Sequence, residues 1–112
     1  MLVRSLVLAA AVAFATPAAA GQWDGTWTGT AGDWVIKLVV IGERGDLRIV
    51  CNGNSFGQFD FTIPVKEDGG ISSWIGGDRL GRRLVSGSLP QLNFPNGGSC
   101  GGGDVTLSRS SL

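Results

Sequence analysis

Residues 33–51 read DWVIKLVVIGERGDLRIVC, and their alternation decides the fold class. Trp34, Ile36, Leu38 and Val40 fall on one side of an extended chain, and Val35, Lys37, Val39 and Ile41 on the other. This period of two is the signature of a β-strand, and the helical period of 3.6 is absent. Both sides are largely apolar, which predicts a central strand. GERGD, residues 42–46, supplies glycine and charge for a short hairpin loop. LRIVC returns from it with Leu47, Ile49 and Cys51 on one side.

The same pattern extends in both directions. Upstream, GQWDGTWTGT (21–30) places Trp23 and Trp27 four residues apart, on one face of a strand, with Gly25 and Gly29 beside them leaving room for the indoles. Downstream, in FGQFDFTIPV (56–65), Phe59, Phe61, Ile63 and Val65 oppose Gln58, Asp60 and Thr62, with Pro64 suited to a strand end or an edge. ISSWI (71–75) and RRLVSGSL (82–89) read as two more strands. PQLNFPNGGSCGGG (90–103) reads as a loop, and DVTLSR (104–109) as the last strand, with Val105, Leu107 and Arg109 on one face. About seven short strands with frequent turns predict an all-β fold: a small antiparallel up-and-down β-barrel, or a partly open one, of about six to eight strands.

The first 20 residues differ in kind. MLVRSLVLAAAVAFATPAAA has one basic residue, Arg4, an apolar run from Leu6 to Phe14, Pro17, and small residues at Ala18 and Ala20. This is the layout of a helical signal peptide cleaved after Ala20. Its apolar run falls short of the roughly 20 residues that cross a bilayer. The expected organisation is a signal peptide, 1–20, and a single β-barrel domain, 21–112, periplasmic or secreted and not membrane-spanning after cleavage. A membrane barrel would need strands of about 9 to 11 residues, too long for this chain to repeat eight times with turns, and an aromatic girdle, for which the chain has no tyrosine.

Composition narrows the function. All 19 glycines follow residue 20, and without a Gly-X-Y period they point to tight turns. Past the leader the chain carries 8 basic and 9 acidic residues, with no basic stripe for nucleic acid. The two cysteines, Cys51 and Cys100, are most simply one structural disulfide in an oxidising compartment. Neither a Cys-x-x-C spacing nor an adjacent cation favours a redox site. There is no histidine, so a serine nucleophile lacks its commonest base and a metal its commonest ligand. The expectation is a protein with no catalytic residues, metal or cofactor.

Carboxylates at Asp33, Asp46, Asp60, Glu67, Asp68, Asp78 and Asp104 mostly flank apparent turns, where solvation is the simpler role than acid/base work. The glycine-rich stretch 97–104 lacks the helix that a phosphate loop needs. Arg79, Arg82 and Arg83 cluster in GGDRLGRR (76–83), as a solvated face or as a loop that binds a partner. Four tryptophans suit a small core, but aromatic residues at a barrel mouth also stack on a sugar or an apolar ligand. Trp34 and Trp74 are the candidates for that role.

At Gly25–Trp27 the chain resembles the calycin group of barrels, the lipocalins and avidins, which carry a Gly-x-Trp motif on their first strand. The resemblance implies that Trp27 packs at the closed end of the barrel against an arginine of the last strand, here Arg109. The chain also resembles a loose set of small exported bacterial proteins that begin DGTW, matched here by Asp24 to Trp27, Cys100 and Arg109. That set implies no activity. The reading reached is an exported, non-enzymatic binding protein holding a small apolar or sugar-like molecule at an aromatic-lined mouth. The alternative is a protein-binding module, such as an inhibitor of an extracellular hydrolase or a cell-envelope interaction protein.

Overall fold

The computed structural model of the chain describes residues 21–51, 58–76, 81–94 and 100–110. The expected signal peptide, 1–20, lies outside them. Among the described residues there are nine strands: β1 Gly25–Ala31, β2 Trp34–Ile41, β3 Arg44–Cys51, β4 Gln58–Pro64, β5 Gly70–Ile75, β6 Arg83–Ser88, β7 Gln91–Phe94, β8 Gly103–Thr106 and β9 Ser108–Ser110. Among the described residues there is no α-helix.

The strands form two antiparallel sheets, ordered β4-β3-β2-β1-β9 and β5-β6-β7-β8. β2 is central, as its apolar pattern predicts, pairing through Leu38 with Trp27 on one side and Leu47 on the other. The hairpin after it is tighter than GERGD implies. Gly42 and Glu43 alone form the turn, with Ile41 opposite Arg44, so Arg44 to Asp46 belong to β3. Gly42 has a φ of 62°, the left-handed geometry that two-residue hairpins require.

The segment 103–110 joins the sheets. Its first half, β8, ladders to β7, and its second half, β9, to β1, with Leu107 between them turned into the core. The Leu107 N–H donates to the Pro90 carbonyl at 2.8 Å. Between β4 and β5 no ladder forms among the described residues, so the sheets are bridged on one side and do not close into a barrel.

Two expectations are corrected here. The last strand is two short strands on two different sheets. The stretch 90–103, read as a loop, contains β7, whose Leu92 and Phe94 point inward while Gln91 and Asn93 point out. Four residues ending beside Pro95 are too few for periodicity to register, and the strand exists because it has β6 and β8 to pair with.

The core fills the space between the sheets. Ile36, Leu38, Val40, Leu47, Ile49 and Ile63 from one sheet meet Ile71, Val85, Leu92, Phe94 and Val105 from the other. No polar or charged residue is buried among the described residues. Burying each large aliphatic side chain contributes about 1.5–3 kcal/mol against the entropy of ordering the chain. Cys51 and Cys100 are joined in a disulfide, both buried, which fastens the end of β3 to the chain leading into β8.

Candidate functional site

Beside the segment that precedes β1, β1 and β9 meet. Trp27 lies opposite Arg109, whose guanidinium carbon stands 4.7 Å from the indole centre. Arg109 Nη1 also donates to the Gln22 carbonyl at 2.7 Å. Trp27 Nε1 donates to the Trp23 carbonyl, and Trp23 Nε1 in turn to the Glu67 carbonyl, both at 2.9 Å. Trp23 thereby ties the segment before β1 to the turn joining β4 and β5, that is, to the junction of the two sheets.

The glycines next to these tryptophans serve other neighbours. At Gly25, φ is 139°, and a Cβ would stand 2.9 Å from Arg109 Cδ; at Gly29 it would meet Leu107 and Val105. The room they leave is for the last strand. Trp23 instead lies on Gly69, where a Cβ would fall 2.8 Å from the ring.

Asp24, which sequence reasoning left without a role, bonds through Oδ1 to the Gly42 N–H at 2.7 Å and through Oδ2 to the Gly21 N–H at 3.0 Å. It pins the β2–β3 turn against the segment that precedes β1. A capping aspartate in a glycine-flanked segment is the local signal that identifies such a residue.

The candidate ligand tryptophans do not come together. Trp34 is 3% exposed, on the inner face of β2, edge-on to Phe59 at 6.3 Å. Trp74 is 57% exposed, on the outer face of β5. One residue of parity on its own strand separates a core tryptophan from a surface one. A common aromatic mouth made of these two residues is therefore replaced by a single exposed indole.

The arginine cluster divides in the same way. Arg79 lies outside the described residues. Arg82 places its guanidinium 4.4 Å from the Trp74 ring centre. Arg83 begins β6 opposite Ile75, on the same side as the buried Val85, and its Nε is buried with no hydrogen-bond partner among the described residues. Arg82 and Arg83 thus serve opposite sides of the sheet.

The two outer faces differ in chemistry. On the first sheet, Arg44 pairs with Asp46 at 3.2 Å and Arg48 with Asp60 at 2.9 Å. The Arg48 and Gln58 hydrogen bonds to Asp60 hold its carboxyl below the usual value of 3.8. These groups border a depression of about 310 Å³ with Lys37, Val39 and Thr62.

On the second sheet the face is almost uncharged. A shallow concavity of about 490 Å³ is lined by Ser86, Ser88, Gln91, Asn93, Asp104 and Thr106 among others. Asn93 Nδ2 donates to Asp104 Oδ1 at 2.8 Å. Ser72, Ser86, Gln91 and Thr106 carry no side-chain hydrogen bond to another described residue.

Among the described residues, no group of three or more histidine, cysteine or carboxylate side chains is placed to hold a metal, and no helix is long and apolar enough to cross a membrane. Compared with protein-family models, curated proteins and solved structures, the chain matches none.

Proposed function

We propose that this chain is an exported, non-enzymatic binding protein, periplasmic or secreted, that holds a sugar-like or apolar small molecule at an aromatic platform on its surface. The observation that carries the reading is Trp74: a large indole left 57% exposed on a sheet whose other side packs a full core. Exposing so much apolar area forgoes roughly 1–2 kcal/mol of burial, which a ligand stacked on the indole would recover. The Cys51–Cys100 disulfide supports export to an oxidising compartment. The Trp27–Arg109 contact is the one that the resemblance to calycin barrels implies.

The test is native mass spectrometry of the protein recovered from its own compartment. A retained small molecule, lost in the Trp74→Ala variant, is expected; a molecule retained equally by both would overturn the site. Recovery of a chain that keeps residues 1–20 and two free thiols would overturn export.

A second reading has its own observation. Arg82 is stacked on an exposed tryptophan, and tryptophan and arginine are both among the residues enriched at the hot spots of protein interfaces. Under that reading the protein is a module that binds an extracellular hydrolase or an envelope protein, and Arg82→Ala abolishes the complex while small-molecule retention is unchanged.

A further inference from the structure

We propose that the outer face of β5 to β8 is a binding surface for a neutral oligosaccharide chain, with Trp74 as stacking platform at one end and the Asn93–Asp104 pair anchoring hydroxyls at the other. This rests on the reading of Trp74 as a ligand platform and names its ligand class and the rest of its site.

The register sets out the surface. Ser72, Ser86, Asn93 and Asp104 lie in one row across the four strands, and Gly70, Ser88, Gln91 and Thr106 in the next. Trp74 stands beside Leu84 in a third row, next to the first. The serines on β6 are short, whereas Gln91 and Asn93 on β7 are longer, and the shallow concavity lies over β6 to β8 with Trp74 beside it on β5. With strands about 4.8 Å apart and about 3.4 Å per residue, Trp74 and Asn93 are roughly 12 Å apart along the backbone. One pyranose ring does not span that distance, and linked rings do.

The chemistry selects among ligands. An apolar molecule laid over these rows would strip water from hydroxyl and amide groups without replacing it, at about 1–3 kcal/mol for each group left unpaired. An anion would meet Asp104, while Arg82, the nearby cation, already lies on Trp74. A protein partner would need an apolar centre broader than Trp74 and the half-buried Leu84. A neutral saccharide matches both parts. Its C–H face packs on an indole, and its hydroxyls donate to and accept from serine, glutamine and asparagine. The Asn93–Asp104 hydrogen bond holds an amide and a carboxylate side by side, a donor and acceptor set suited to adjacent hydroxyls. The first sheet presents no equivalent, because its outer face carries two ion pairs and Lys37 in place of neutral polar side chains.

The experiment is isothermal titration of the exported protein with cellohexaose, chitohexaose and laminarihexaose, each beside its monosaccharide. At least one hexamer is expected to bind, and its monosaccharide at least about tenfold more weakly. Trp74→Ala should weaken the hexamer by about tenfold or more, the scale of removing one central aromatic contact. Asn93→Ala should weaken it several-fold, and Lys37→Ala, on the opposite sheet, should leave it unchanged. Trp74 and Asn93 both face solvent, so their variants are expected to keep the parent's circular dichroism spectrum.

Failure of all three hexamers to bind overturns the inference, as does binding that Trp74→Ala leaves intact. If Trp74→Ala matters and Asn93→Ala does not, the extended surface is wrong and the platform stands. If no hexamer binds yet a native small molecule is still lost from Trp74→Ala, this inference falls while the broader function survives.

Discussion

Trp27 is held on three sides: Arg109 covers its ring, Trp23 accepts its N–H, and the inner face of β1 carries it into the core. Arginine over an indole contributes about 0.5–2 kcal/mol, and the Gln22 hydrogen bond adds to it. Arg109→Ala should therefore lower stability by about 1–2 kcal/mol in urea denaturation, and an unchanged midpoint would refute the contact's role. On the outer face, Asp60 is governed by Arg48 and Gln58. Its folded pKa lies below its unfolded one, so the pair's contribution is present at neutral pH and disappears as pH falls through the folded value. A proton titration followed by NMR should give Asp60 a midpoint below 3.8, and Arg48→Ala should move it back toward that value. At this scale the contact of Trp27 with Arg109 was legible through the Gly-x-Trp resemblance, which names the pair, together with the place of Arg109 at the end of the last strand. It was not informative about Trp34 and Trp74, since each sits in its own alternating run and parity does not say which face a neighbouring sheet will cover.

β7 shows how an element can exist through its neighbours. Gln91–Phe94 is too short to be stable as a strand alone, yet it connects β6 to β8 and delivers Leu92 and Phe94 to the core. Leu92→Ala should cost about 2–5 kcal/mol, as truncation of a fully buried leucine does. If β7 were a surface loop, the cost would be a few tenths. Amide hydrogen exchange gives an independent check: the β6 and β8 amides laddered to β7 should lose protection in this variant, while those of β2 and β3 keep it. The neighbouring segment 103–110 is legible as a strand, but its division between two sheets is not. That division depends on where Leu107 and the Pro90 carbonyl meet in space.

For the whole molecule the question is what keeps two sheets together with no ladder between β4 and β5. On one side the segment 103–110 spans them. Ahead of β1, Trp23 bonds the turn between β4 and β5. The disulfide ties β3 of the first sheet to the approach to β8 of the second, across 49 residues. Closing a loop of that length is worth about 4 kcal/mol in the chain-entropy model, a large share of the stability expected of so small a domain. Replacing Cys51 and Cys100 by alanine should cost about 2–5 kcal/mol and lower the melting temperature markedly; a loss below 1 kcal/mol would mean that the core alone secures the sheets.

By itself the sequence determined the all-β class, the central place of β2, the apolar sides of β3 and β4, and the cysteine pair; the Trp27–Arg109 partnership came from the resemblance to calycin barrels. The strand features follow from a period of two and the pair from the count of cysteines. Only the tertiary structure decided that the strands form two sheets bridged on one side, that residues 91–94 are one of them, and that Trp34 is core while Trp74 faces water. The physical reason is common to all three. Alternation along a strand assigns residues to two faces, and which face is dry depends on the sheet packed against it, built from residues far away in the chain.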